Sequence, residues 1–358
     1  MYSSHAHKIV LSLILFIPFF ASATIIRVNN TGAAGPSVET SLITAIAGAS
    51  VGDTIIVEHS SLVYDSGSTI SVDKDITIFG TGYFLADNAQ TQADTKQAII
   101  DAVEFVGASA GAEIAGLEIG DVTINVNSIT VHRCNITGQV QIGATGNVIG
   151  AGLSQNFIKS SQGDALVRVI DATNFFVQAN YIHNTNSGGT NNMRVEGTSS
   201  GLVLNNLFYG DPENIFKNGF VQNNIFEESE IDVVSSTGIT VEHNMCKTTF
   251  LTDDYPLEFN ISLDFAVTSI DPDSVLCHTD LAGVSRDGEF QLNGLWPCPG
   301  NPACNAGADG NDIGMFGGTR AYVLSGMPPI PSVFEYSGSA TGTNTGGTTS
   351  TVKGKSRR

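Results

Sequence analysis

The sequence predicts an all-β chain wound into a right-handed parallel β-helix, a solenoid, with a short capping helix at its N-terminal end. Three observations carry this. A frame of aliphatic residue, two mostly polar residues, Asn, any residue, apolar residue recurs six times between residues 131 and 246, once with Cys in the Asn place. The apolar positions of that frame form unbroken columns. The composition, with 39 glycines and only 14% charged residues, suits short strands and turns.

Residues 1–23 read as a signal peptide. Lys8 is followed by the apolar stretch Ile9 to Phe20, and Ala21-Ser22-Ala23 offers small residues for cleavage. The stretch is too short to span a bilayer as a helix. Nothing later in the sequence is long and apolar enough for a membrane anchor. The expectation is a secreted or cell-surface protein without a transmembrane helix.

Residues 24–51 form an N-terminal strand and cap. Val38, Leu42 and Ile46 recur at spacing four after Pro36 and Ser37, the pattern of a short amphipathic helix. Such a helix would cover the open first coil, whose free edge otherwise invites aggregation.

Residues 52–265 are assigned to the β-helix. The clearest frames are Val177 to Ile182, Val203 to Phe208, Val221 to Phe226 and Val241 to Cys246. Leu153 to Ile158 fits, as does Val131 to Ile136. The turn residues Cys134, Asn156, Asn180, Asn206, Asn224 and Asn244 are about 22 residues apart on average, enough for three strands and three turns per coil. Stacked coils lie about 4.8 Å apart, so like side chains form rows. Aliphatic rows fill the interior, and an inward Asn row can satisfy buried turn amides. Upstream, Thr54 to Val57, Thr69 to Val72 and Ile76 to Ile78 alternate with the period of earlier strands.

Residues 266–330 are expected to supply C-terminal rungs and a cap. Residues 331–358, with Pro331 and then a Gly/Ser/Thr-rich run, read as a flexible tail. Five cysteines remain after processing, too few and too odd a number for a disulfide framework. Cys298 and Cys304 flank a short loop and are placed for a local bridge, with Cys277 as a competing partner.

On these residues the chain resembles secreted bacterial proteins of the pectin-lyase-like, right-handed parallel β-helix fold. The front of the match is the helix followed by Gly52 to Val57 and later Ile76 to Gly80. The back is Asn301 to Gly307 with Asp312 to Gly318, similar to the closing motif of many such proteins. The resemblance implies the fold and is nearly silent on chemistry, since the fold hosts pectate and alginate lyases, polygalacturonases, pectin esterases and phage tailspikes, and many members have no assigned activity.

The net charge of −19, or −20 once Lys8 is removed, disfavours nucleic acid as a partner. An extracellular polysaccharide or cell-surface glycan is the expected partner. For catalysis, the column three residues past each turn residue contains Thr137, Lys159, His183, Tyr209, Glu227 and Lys247. Alternation points it outward, placing acid–base types on successive coils. A solvated sheet face accounts for the same column. Tyr181, Tyr209 and His183 would suit sugar binding, with Phe157 nearby. Arg168 and Arg194 are candidates for the base of a lyase, but no matching Asp array accompanies them. Ca²⁺ belongs to that lyase reading alone; no His/Cys spacing predicts another metal. The two Gly-x-Ser-x-Gly matches, at Gly48 and Gly197, and the oxygen-rich runs at Asp271 and Asp309 read as turns. The expectation is a non-catalytic glycan- or surface-binding β-helix, with a polysaccharide-active enzyme as the alternative. A structural or ice-type binder lacks its regular Thr-x-Thr row.

Overall fold

A computed structural model describes residues 23–246 apart from 33, 34, 36, 37, 187, 189, 211, 212 and 228–230, together with 287–291, 301, 303–338 and 350–355. Residues 1–22, on which the expected signal peptide falls, and Lys247, Cys277 and Cys298 lie outside these.

Among the described residues, twenty-four strands join in one sheet that coils on itself through parallel pairing. The result is a parallel β-helix with three faces. Along the first face, Ile26, Ile55, Ile78, Ile114, Val131, Leu153, Val177, Val203, Val221 and Val241 sit in register, each over the last. The second face stacks Ile119, Ile136, Ile158, Ile182, Phe208 and Phe226. The third stacks Val103, Val122, Val140, Val167 and Met193. All three rows point inward and form one continuous buried core. Phe208 and Phe226 stack with ring centroids 4.7 Å apart.

The corner between the first and second faces explains the repeated Asn. The residue before each turn residue adopts a left-handed backbone: Arg133, Gln155, Ala179, Asn205, Asn223 and His243 have φ between 52° and 59°. That bend turns a backbone N–H into the coil, where water cannot reach it. Each Asn Oδ1 accepts such an N–H from the coil before: Asn156 from Cys134 N at 2.9 Å, Asn180 from Asn156 N at 2.9 Å, Asn206 from Asn180 N at 3.0 Å, Asn224 from Asn206 N at 2.8 Å and Asn244 from Asn224 N at 3.0 Å. Each Asn Nδ2 donates to a main-chain carbonyl, as Asn206 does to Val177 at 2.8 Å. The ladder therefore satisfies the inward N–H groups of Cys134, Asn156, Asn180, Asn206 and Asn224. It ends at Cys134, a buried free thiol whose pKa burial pushes up to about 12.

The cap begins later than the spacing suggests. Val38–Glu39 is a short strand, and the helix is Leu42–Gly48. Ser41 Oγ accepts from Thr44 N, and the Asp65 carboxylate takes the N–H groups of Leu42 and Ile43. These caps hold Leu42, Ala45 and Ile46 in the core.

The described C-terminal residues depart from the expected rungs. From Ala303 to Met327 the chain forms a strap that runs back along the outside of the coil. Its partners step downward as its numbers rise. Ala308 N binds Asn223 Oδ1, Asn205 Nδ2 binds Asp312 O, Gln155 Nε2 binds Ala321 O, and an Arg133 guanidinium nitrogen binds Met327 O. The four side chains are the left-handed corner residues themselves, which the bend aims outward. Beneath the strap lies a second core. Phe157, Tyr181, Leu207, Ile225 and Met245, each one residue past the turn residue, pack against Ala303, Ile313, Met315, Tyr322 and Phe290. The expected flexible tail is also partly ordered: Ser332–Gly338 pairs antiparallel with Ser350–Lys355. Cys304 is disulfide-bonded to a sulfur outside the described side chains.

Candidate functional site

The strap reshapes every site the sequence suggested. Tyr181 faces away from the coil interior but is only 1% exposed, stacked between Phe157 and Phe290 with centroids 4.4 Å from each. It is a core residue of the strap interface and offers no surface to a sugar. His183 and Tyr209 do come together, with ring centroids 5.0 Å apart, and the Tyr181 hydroxyl meets His183 Nδ1 at 3.0 Å. Burial, with the Lys159 charge one coil away, lowers the His183 pKa to about 4. It stays neutral near pH 7 and is occupied by Tyr181. Glu227 is 2% exposed and takes the Gly210 N–H at 3.3 Å. Lys159 alone of the four is exposed. Of the candidate column, His183 and Tyr209 are thus in contact, Lys159 is exposed and Glu227 is buried.

Arg168 and Arg194 sit in register on adjacent coils of the third face. Their guanidinium groups are taken up by carboxylates. Arg168 binds Glu196 through two nitrogens at 2.9 and 3.2 Å and Asp164 at 3.3 Å; Arg194 binds Glu196 at 2.6 Å and Asp164 at 2.8 Å. The Glu196 hydrogen bond raises the Arg168 pKa further. A guanidinium so held is a poor proton acceptor, and the four residues form one ion network across adjacent coils.

The open site lies elsewhere, where the strap leaves the first face. A cleft of about 560 Å³ opens between the outward side chains of that face and residues Thr319–Val323 of the strap. Glu113, Thr130, His132 and Ser154 form its floor. Arg133 and Gln155 close its corner, and Arg320 stands on the strap side. His132 Nε2 lies 2.7 Å from Glu113 Oε1. That hydrogen bond holds the Glu113 carboxyl below its ordinary range. Arg133 Nε donates to Gln155 Oε1 at 2.9 Å, which fixes the amide orientation. Arg320 is exposed and has no ion pair among the described residues.

Chemically, the cleft presents a carboxylate, an imidazole, an amide, hydroxyls and the exposed Arg320 guanidinium within one polar hollow. That set matches a ligand rich in hydroxyl groups, which needs donors and acceptors side by side. Among the described residues Glu113 is the one carboxylate lining it, whereas glycoside hydrolysis in its common forms uses a pair. Among the described residues no three His, Cys, Asp or Glu side chains are grouped to hold a metal ion. No helix among them is long and apolar enough to cross a membrane.

The repeat reading missed these residues. His132 and Ser154 stand two positions before the turn residue and Thr130 four before it, so the same fixed offsets that gave the inward columns also give these outward ones. The strap wall had no repeat to announce it. Compared with known protein families, curated proteins and solved structures, the chain matches none.

Proposed function

We propose that this chain is an extracellular, non-catalytic β-helix that holds a saccharide in the cleft between coil and strap. The observation that carries the reading is the convergence of the Glu113–His132 pair, Gln155 and Arg320 on one open polar hollow. The acidic surface, net −19, supports a saccharide over a phosphate-backed polymer. Secretion rests on the Lys8 to Ala23 pattern, and the pectin-lyase-like, right-handed assignment rests on the Gly52 to Val57 and Asp312 to Gly318 motifs. One feature favours binding without cleavage: the two candidate lyase arginines are held by Asp164 and Glu196.

The test is to incubate the mature protein with a polysaccharide panel, with and without Ca²⁺. Retention on one glycan without cleavage is expected, and Arg320→Ala should weaken it. New unsaturated or reducing ends would overturn the non-catalytic reading, and failure to retain any saccharide would overturn the site.

A further inference from the structure

The first face does not stop at the cleft. Continuing up the coil, the row that begins with Glu113 and Thr130 passes through Gly152, Phe176, Leu202 and Phe220 to Thr240, each in register with the last. Unlike the row under the strap, this one reaches solvent at Leu202 and Phe220, with Phe176 half-buried. Phe220 is 46% exposed and Leu202 41%, values at which neighbouring large apolar side chains in a soluble protein call for an explanation. Gly152 shows that the row is shaped: a Cβ there would fall 1.9 Å from Phe176 Cζ, so the ring tip occupies that space and leans toward the cleft. Beside it runs a second outward row, His132, Ser154, Gln178, Leu204, Gln222 and Glu242. Amides thus flank the apolar row on the same face.

We infer that cleft and row form one elongated site for a neutral, extended, equatorially linked polysaccharide lying along the coil axis. The inference rests on the cleft's being a saccharide site, and names the ligand class and its path. Equatorially linked sugars present flat, C–H-rich ring faces with hydroxyls at their rims. Such faces lie on Phe rings while the rims reach amides, the arrangement of Phe176 and Phe220 beside Gln178 and Gln222. Spacing agrees: the rise of an extended β-1,4-linked chain is close to one coil per sugar, and Phe176 and Phe220 are two coils apart. From Thr130 to Phe220 the path covers four coils, roughly 19 Å. Neither row carries Lys or Arg beyond His132, so a polyanion would find nothing to neutralise along it.

The experiment is calorimetric titration of the full mature chain with β-1,4-linked gluco- and manno-oligosaccharides of two to six units, with polygalacturonate as charged control. One of the neutral ladders should bind more tightly with each added unit until the path is spanned. Phe176→Ala/Phe220→Ala should weaken the hexasaccharide roughly tenfold and leave the disaccharide unchanged. Arg320→Ala should weaken every length. An unchanged melting temperature certifies that the double variant folds. Affinity independent of length, or insensitive to the Phe pair, would remove the elongated site while leaving the cleft. Binding of polygalacturonate alone would do the same. Should sedimentation show a dimer that the Phe substitutions dissolve, the row is a contact between copies and the inference fails. If no saccharide of any kind binds, the cleft reading falls with it.

Discussion

The protein has two hydrophobic cores that are built on different terms. Inside the coil, the rows of the first two faces repeat apolar residues turn after turn, so that each side chain has its like above and below. Under the strap, the coil supplies a repeating row from Phe157 to Met245, but its partners Phe290, Ile313, Met315 and Tyr322 come from a stretch with no repeat. The first core is continuous along the coil and backed by the Asn ladder. The second is fastened at separate points, by Asn223, Asn205, Gln155 and Arg133 and by a buried polar knot. In that knot Asp287 accepts from Asn88, Ser325 N and Tyr322, and the Tyr322 hydroxyl meets that of Tyr83 at 2.6 Å. Repetition makes the coil cooperative, whereas point fastening makes the strap a separable layer.

The sharpest blow to the coil should be Asn206→Ala. It leaves Asn180 N and Val177 O without their partners at 3.0 and 2.8 Å, at a cost of roughly 4 kcal/mol. Urea unfolding should show the whole coil lowered in a single transition. Phe290→Ala should cost about 3 kcal/mol, confined to the strap. Hydrogen exchange should then rise in residues 303–327 while the coil keeps its protection; if both loosen together, the two cores are one unit.

Acidity should separate the layers as well. Burial raises the Asp287 pKa, and Tyr83 and Tyr322 beside it are held neutral by their own burial. A raised carboxyl pKa means the strap carries no charge penalty below the ordinary Asp range. The penalty grows as pH climbs through the folded-state value. Strap protection should therefore fall with rising pH in that window, and Asp287→Asn should flatten the dependence. Glu113 behaves oppositely, because His132 lowers its pKa: its contribution is present above the ordinary carboxylate range and lost as pH falls. The smallest effect belongs to the third face. Arg194→Ala removes a partly exposed bridge and should cost no more than about 1 kcal/mol by thermal melting.

What the sequence made legible follows the same division. Val131, Val177, Val203, Val221 and Val241, with their Asn row, announced the coil because a parallel stack forces chemistry to repeat. Tyr181 and His183 misled because alternation tells which way a side chain points from the sheet and nothing about what later lies over it. Glu227 misled for a related reason: it follows the alternation yet turns its carboxylate to Gly210. Arg168 and Arg194 were visible as a stacked pair, but Asp164 and Glu196, which neutralise them, belong to turns outside the repeat frame. His132, Ser154, Phe176 and Phe220 were readable by the same offsets, two and four residues before each turn, and were missed because outward columns lack the conspicuous uniformity of inward ones.

Hydrogen exchange on the intact chain, followed residue by residue under mild denaturant, puts the two-layer construction to proof. Amides of Asn156, Asn180, Asn206 and Asn224 should open only with complete unfolding, while those of Ile313, Tyr322 and Ser325 open earlier as a group. A single common opening for strap and ladder would mean that the strap is an integral part of the coil's core and that the layered description is wrong.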